Sequence, residues 1–417
     1  MKVNASSPLV AGCDDILAPQ SCPVCGSSDT SAFVHRSFVP VHQDLVLASA
    51  AEARSFGRGQ LTMYACGDCG FAFNAAFDLS LMSYGACYDN TQTCSPGFDQ
   101  YLNNLVRYLV EERDVRNCTV VEVGCGKGEF IRRLVRYPGA NVTGHGFDPT
   151  YVGPDVEYGG RLRFEKRFYD EHASSLPADV VICRHVIEHV PEPLQLLNGV
   201  RRAVERRPNA LVCFETPCLE WILRDAVFWD LFYEHCSLFT SASLTTAFEL
   251  SGLEVLGVRH VFGGQYLWLE GRPASGPRRA HKNRADVIKL ARRFSALEGR
   301  LRAQWRAPIS RALGAPESDG ADGRRIAVWG AGAKGVTFVN LVDPDSRQIH
   351  CLVDVNPNKQ QKYVPGTGHP IIAPAMIGDE GIEAVIVLNP NYVKEISAAL
   401  RQQGSQVAVI DLMAELA

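Results

Sequence analysis

Thr119-Val-Val-Glu-Val-Gly-Cys-Gly-Lys-Gly-Glu129 is the stretch that decides the fold. β-Favouring residues around one acid break into a turn with glycine at 124, 126 and 128. Phe130-Ile131 and Leu134-Val135 follow at helical spacing, so a buried strand turns into a helix. The glycines permit positive φ and let the backbone approach a ligand closely. The helix N-terminus behind them offers free N–H groups and partial positive charge. Glu122 stands two residues before the first glycine, where an acid suits a ligand amino group better than a phosphate. The G-x-G-x-G spacing also differs from the G-x-G-x-x-G of dinucleotide sites.

A second strand, 141–148, ends in Asp148, where a ribose diol would lie, and a third covers 178–183. Together these stretches resemble the class I S-adenosylmethionine (SAM) methyltransferases. The resemblance implies that Glu122, Gly124, Gly126 and Gly128 hold the methionine part of SAM and that Asp148 binds its ribose. Pro149, Tyr169, Arg184 and His185 complete the expected cofactor site. The bland alternative is a degenerate nucleotide fold without cofactor.

The chain has 417 residues, enough for two or three domains. Its apolar content of 46% and charged content of 21% are ordinary for a globular protein. A net charge of −4 gives no electrostatic case for nucleic acid or for bulk membrane binding. No apolar run approaches the roughly 18–20 residues that span a bilayer. The first residues lack an apolar signal core, and 14 cysteines then point to a reducing, cytoplasmic setting with thiols as ligands or packing groups.

Cys22-Pro-Val-Cys25-Gly26 and Cys66-Gly-Asp-Cys69-Gly70 form two knuckles. Four thiolates suffice for a closed structural zinc site, and residues 26–65 are a tolerable insertion because loop closure grows costly only slowly. A redox role for either pair is the other reading. Residues 1–20 read as a loose leader, 61–64 and 71–73 as short strands, and 98–112 as a helix. Tyr84 and Tyr88 lie before that helix, in the segment expected to cover the cofactor; packing aromatics are the alternative.

Beyond the third strand comes Cys183-Arg-His-Val-Ile-Glu-His-Val-Pro191. Loops at the C-terminal ends of parallel strands bind ligands, so His185 is expected beside the cofactor and His189 at the substrate mouth. A surface histidine is the plainer reading of each. After a strand at 211–217, Phe232-Tyr-Glu-His-Cys-Ser-Leu-Phe239 places Glu234 beside His235 as a general-base pair, the carboxylate orienting the imidazole. Thr240 or Ser241 caps a helix that stops at Gly252, and antiparallel strands 255–261 and 264–270 close the core, with Tyr266 facing the pocket.

Val287, Leu290, Phe294, Leu297 and Leu301 alternate by three and four, which suits a dimer seam or packing between domains of one chain. A polar linker follows at 314–323. Arg325-Ile-Ala-Val-Trp-Gly330-Ala-Gly-Ala-Lys-Gly335 is then a true G-x-G-x-x-G after a strand, with further strands at 349–354, 384–388 and 407–411. Taken alone it suggests NAD, yet residues 325–417 leave no room for separate dehydrogenase machinery.

The whole order, from zinc knuckles through a SAM core to a terminal Rossmann-like segment, resembles the C-methyltransferases that act on nucleotide-linked deoxysugars. The matching stretches are the paired C-x-x-C-G, 121–128, His189-Val-Pro191, 233–239, 328–335 and Val353-Asp-Val-Asn-Pro357. The fold class expected is α/β. Residues 1–97 form a zinc-binding module and cofactor-covering segment, 98–270 a Rossmann-like SAM core, 271–323 a helical linker, and 324–417 a Rossmann-like substrate domain. The resemblance implies that the last of these binds no NAD and that Tyr88, Tyr266, Gly332, Lys334 and Asn356 contact a 4-keto sugar. It implies enolate chemistry with His235 or His189 as base, Glu234 orienting, and Tyr84 or Tyr233 at the oxyanion. The resemblance also carries a tyrosine two residues before the Glu-His pair; here Phe232 stands there, so O- or N-methylation remains the nearest alternative. A noncatalytic nucleotide-binding scaffold and an NAD-dependent oxidoreductase are the other classes. The expected partner is a small molecule, and the expected assembly a monomer or homodimer.

Overall fold

A computed structural model describes residues 20–82, 94–274, 286–313 and 325–416. Tyr84, Tyr88, residues 1–19 of the leader and the whole 314–323 linker lie outside the described residues.

The central sheet has eight strands in the order 253–261, 266–273, 211–217, 180–184, 119–123, 143–147, 162–165 and 156–157. Strands 119–123, 143–147, 162–165, 180–184 and 211–217 run parallel. The strand 266–273 is antiparallel to 211–217, with Tyr266 opposite Pro217. This is the α/β arrangement expected of a class I methyltransferase, with two reversed strands, 266–273 near one edge and 156–157 at the other. Val120, Val121, Ile182 and Val212 are fully buried because helices cover both faces, as a parallel sheet requires. The helix Pro96–Glu111 starts on a Ser95 cap and buries Phe98, Leu102, Leu105, Val106, Leu109 and Val110. That three-four spacing makes one apolar stripe, and each of its large side chains contributes about 1.5–3 kcal/mol on burial.

The N-terminal sheet joins Thr30–Pro40, Arg58–Cys66 and Ala72–Asn74 to a fourth strand, Ser237–Leu238, that belongs in sequence to the central domain. Ser237 pairs with Phe73 and Leu238 with Ala72. The loop before this strand, 232–236, is therefore held between two units. The C-terminal sheet is parallel, ordered 371–372, 351–353, 326–329, 384–387, 408–411.

The helix Val287–Gln304 packs within the chain. Its Glu298 receives the guanidinium of Arg36 at 2.8 Å, and Arg36 also donates to the carbonyls of Phe228 and Leu231. Arg36 and Glu298 are both buried, so the pair ties the N-terminal sheet, the long helix and the loop 228–231 together. Phe33 meets Phe294 of the same helix edge-on at 6.2 Å. The apolar stripe read from the sequence thus serves contacts between parts of one chain.

Candidate functional site

At the strand 119–123 the glycine turn is as tight as the sequence demands. Gly124, Gly126 and Gly128 have φ of 68°, 54° and 80°. A Cβ on Gly124 would lie 2.1 Å from Val186 Cγ2, whereas one on Gly126 would meet open space. Asp148 stands at the end of the neighbouring strand. Its Oδ2 accepts from Gly126 N at 2.8 Å and its Oδ1 from Thr150 N at 2.7 Å, which shapes the turn and leaves lone pairs for further donors. Glu122 is buried beneath the turn and accepts from Ile131 N at 3.2 Å, so it also fixes the following helix. Burial pushes its carboxyl up to about 8, against the pull of Arg184. An open glycine cradle flanked by two carboxylates fits the amino acid and ribose ends of SAM.

The other expected cofactor residues divide. Arg184 donates to Glu215 at 3.0 Å and lies over the Phe130 ring at 4.7 Å, so its charge is spent inside the protein. Tyr169 packs edge-on against Phe147 at 5.6 Å. Pro149 is half-buried beside Asp148. His185 sits at the strand end with φ 53°, a left-handed conformation that costs energy for a non-glycine residue. Its Nε2 meets Glu215 Oε1 at 2.9 Å and its Nδ1 meets Glu188 Oε1 at 3.3 Å. Burial disfavours the imidazolium, but the two carboxylates outweigh it and raise His185 to about 9.

A cavity of about 270 Å³ opens where the strand ends of the central sheet face the glycine turn of the C-terminal domain. His185, Glu188, His189, Phe232, Glu234, His235 and Tyr266 line one wall. Gly330, Gly332, Lys334, Asp354, Asn356 and Lys359 line the other, and Asp44 comes from the N-terminal unit. His189 and His235 stand ring edge to ring face, centroids 4.8 Å apart. Phe232 lies 4.0 Å from the His235 ring. Burial, followed by the charges of His189, His185 and Lys334, pushes His235 well below its ordinary value, so the imidazole is neutral. Its Nδ1 is buried without a hydrogen-bond partner among the described residues. Glu188, His189 and His235 bring ligand atoms within 4.8 Å of one another. Both Glu188 oxygens are engaged, however, by His185 and by the Thr216 hydroxyl at 3.0 Å.

Two expectations are corrected. Glu234 does not orient His235: its oxygens accept from His42 Nδ1 and Gln43 N, both at 2.9 Å, and the carboxylate is spent anchoring the N-terminal unit. Tyr233 does not reach the oxyanion position. It is fully buried, and its hydroxyl accepts from Asp78 N at 2.8 Å, on the side away from the cavity. Phe232, Glu234 and His235 face the cavity together, while Tyr233 between them is turned to Asp78. Phe232, not Tyr233, lines the cavity.

On the C-terminal wall, Lys334 is ion-paired with Asp230, and Lys359 donates to Asp44 at 2.8 Å and to the Ala331 carbonyl at 3.1 Å. Asp354, at the position that would hold a dinucleotide ribose, instead accepts from Ala331 N at 2.7 Å and Asn356 N at 2.8 Å. The sequence reading missed His42, Asp44, Asp230 and Lys359. None sits in a motif; each is brought in by contacts across the chain. Glu188 carried a signal, since it follows His185 by one helical turn and precedes His189.

The four knuckle cysteines converge. Cys22 Sγ lies 3.6 Å from Cys69 Sγ, and Cys25 Sγ 3.6 Å from Cys66 Sγ. All four sulfurs fall within 4.8 Å of one another. Zn–S bonds of about 2.3 Å in a tetrahedron separate sulfurs by roughly 3.8 Å, so the set fits zinc.

Residues 97–258 match the methyltransferase domain family, and residues 306–410 match the C-methyltransferase C-terminal domain family. The chain is 29% identical over 231 residues to the C-methyltransferase NovU of Streptomyces niveus, covering 52% of this chain and 53% of that protein. It is 32% identical over 127 residues to the ubiquinone biosynthesis O-methyltransferase of Colwellia psychrerythraea, covering 28% of this chain and 50% of that one. The chain thus spans about half the length of these curated relatives. Among solved structures, an O-methyltransferase family protein from Burkholderia thailandensis aligns at 19% identity with a TM-score of 0.34, over 43% of this chain and 57% of that one.

Proposed function

From a chain that carries a methyltransferase domain and a C-methyltransferase C-terminal domain, we propose a SAM-dependent enzyme that methylates the carbon beside a ketone. The acceptor class is a nucleotide-linked 4-keto deoxysugar. The observation that carries this reading is the neutral, buried His235 at the wall of a cavity shared by the two domains. A ketone acidifies its neighbouring C–H, and a neutral imidazole is the form that accepts that proton. Burial makes the resulting imidazolium costly alone, but the enolate formed beside it is its counter-charge. SAM, when bound, supplies an electrophilic methyl group. Glu122, the glycine turn and Asp148 hold the donor, and the cavity walls hold the acceptor in line with it. His189 is the second histidine able to move a proton there, and Gly332, Lys334 and Asn356 are the acceptor-side contacts. Zinc on Cys22, Cys25, Cys66 and Cys69 is structural, because four protein ligands leave no open position.

The reading is tested by incubating the protein with S-adenosylhomocysteine and nucleotide-linked 4-keto sugars in D₂O and following the sugars by mass spectrometry. Enzyme-dependent exchange beside the ketone, lost in His235→Asn, is the expected result. Methyl transfer to hydroxyl or amine acceptors without exchange would replace it by O- or N-methylation. No binding of S-adenosylhomocysteine would leave the noncatalytic scaffold.

A further inference from the structure

Enolisation builds negative charge on the acceptor's carbonyl oxygen, and a prepositioned donor there is worth about 10²–10³ in rate. Several of the cavity's donors are committed elsewhere. Lys334 is held by Asp230, Lys359 by Asp44, and the Ser95 hydroxyl by Glu395. Both nitrogens of His185 face carboxylates. Phe232, against the face of His235, has nothing to donate.

Tyr266 differs from all of these. It lines the same cavity, and among the described residues no hydrogen bond engages its hydroxyl. Its ring is clamped: it stands edge-on to His185 at 4.5 Å and stacks on Phe262 at 5.3 Å with 6° between planes. It opens the strand 266–273 opposite Pro217, itself a cavity residue, so the backbone beneath it is fixed by the sheet. Burial and then the nearby Tyr392, Glu215 and Asp230 push the phenol well above its ordinary value, which keeps it protonated. His185 lies at the strand end where the donor methyl is expected, so Tyr266 borders both substrates.

We infer that Tyr266 is the oxyanion donor of the reaction, its hydroxyl hydrogen-bonding the acceptor oxygen as the enolate forms. This rests on the enolate reading above. The histidine takes the α-proton, the C–H pair becomes the C=C bond, and the carbonyl π pair moves onto the oxygen held by Tyr266. The pair then returns to re-form C=O while the carbon takes the methyl, and the S–CH₃ bond breaks to leave a neutral thioether.

The test is D₂O exchange by the wild-type chain, Y266F and the double variant F232Y/Y266F, with nucleoside-diphosphate-linked 4-keto-6-deoxyhexoses as probes. S-Adenosylhomocysteine affinity is measured in parallel by calorimetry. Exchange in Y266F should fall about 100-fold with cofactor affinity unchanged, and F232Y/Y266F should recover part of it. A merely structural tyrosine would not be rescued from position 232. Exchange in Y266F within about threefold of wild type overturns the donor role alone. Equal loss of cofactor affinity and exchange without rescue assigns Tyr266 to the cofactor site instead, and overturns it too. Wild-type protein that binds the cofactor but exchanges no probe sinks the enolate reading, and the donor role with it.

Discussion

Glu122 is the residue whose environment most sharply conflicts with its ordinary charge. It is 3% exposed, and burial raises its carboxyl to about 8 from 4.5. The sign follows from proton counts. Between pH 4.5 and about 8 the unfolded chain releases this proton and the folded chain keeps it, so Glu122 makes the fold progressively less stable as pH rises through that window. Below the window both states are protonated and the effect vanishes. A ligand ammonium placed on the carboxylate reverses the preference and expels the proton. S-Adenosylhomocysteine binding at pH 7 should therefore release close to one proton, seen by calorimetry as a heat that varies with buffer ionisation enthalpy. In Glu122→Gln that dependence should disappear. Buffer-independent heats in the wild type would place the amino group elsewhere.

The elements show what was legible along the chain. Strands 119–123 and 326–329, with the glycine turns behind them, were readable because strand, turn and helix are adjacent and their signals local. The helix 287–304 was readable from its three-four spacing. The pairing of Ser237–Leu238 with Phe73–Ala72 was not, since a two-residue strand has no periodicity and its partner lies far away in the chain. The Glu-His pair at 234–235 misled for the same reason: adjacency in sequence suggested contact, whereas the carboxylate bonds His42, 192 positions away. Their side chains are 1% and 2% exposed. Removing His42 leaves a buried carboxylate short of a donor, which costs about 3 kcal/mol. His42→Ala should lower the urea midpoint accordingly, and adding Glu234→Gln should cost less than the two single changes summed, because the charge is gone. Strict additivity would show that the pair is not coupled.

Across the whole molecule the cysteine cluster and the loop carrying His235 belong to one mechanical unit, while the cofactor turn belongs to another. Cys66 ends the strand Arg58–Cys66, which pairs with Ala72–Asn74, which pairs with Ser237–Leu238, two residues after His235. The His42–Glu234 bond and the Arg36 bridge to Phe228 and Leu231 reinforce that path. Glu122, the glycines and Asp148 are instead fixed by the parallel strands 119–123 and 143–147. Metal binding to four thiolates is folding free energy for the unit that holds them. On the proposed zinc assignment, stripping the metal with a strong chelator should thus loosen the wall carrying His235 and leave the cofactor turn in place. The expected outcome is a split: α-carbon exchange lost and restored by added zinc, with S-adenosylhomocysteine affinity changed less than about threefold throughout. Loss of both together would mean that the N-terminal sheet supports the central fold as a whole. Loss of neither would mean that the sheet's own apolar core, with Phe71, Leu61 and Met63 fully buried, holds the loop without the metal.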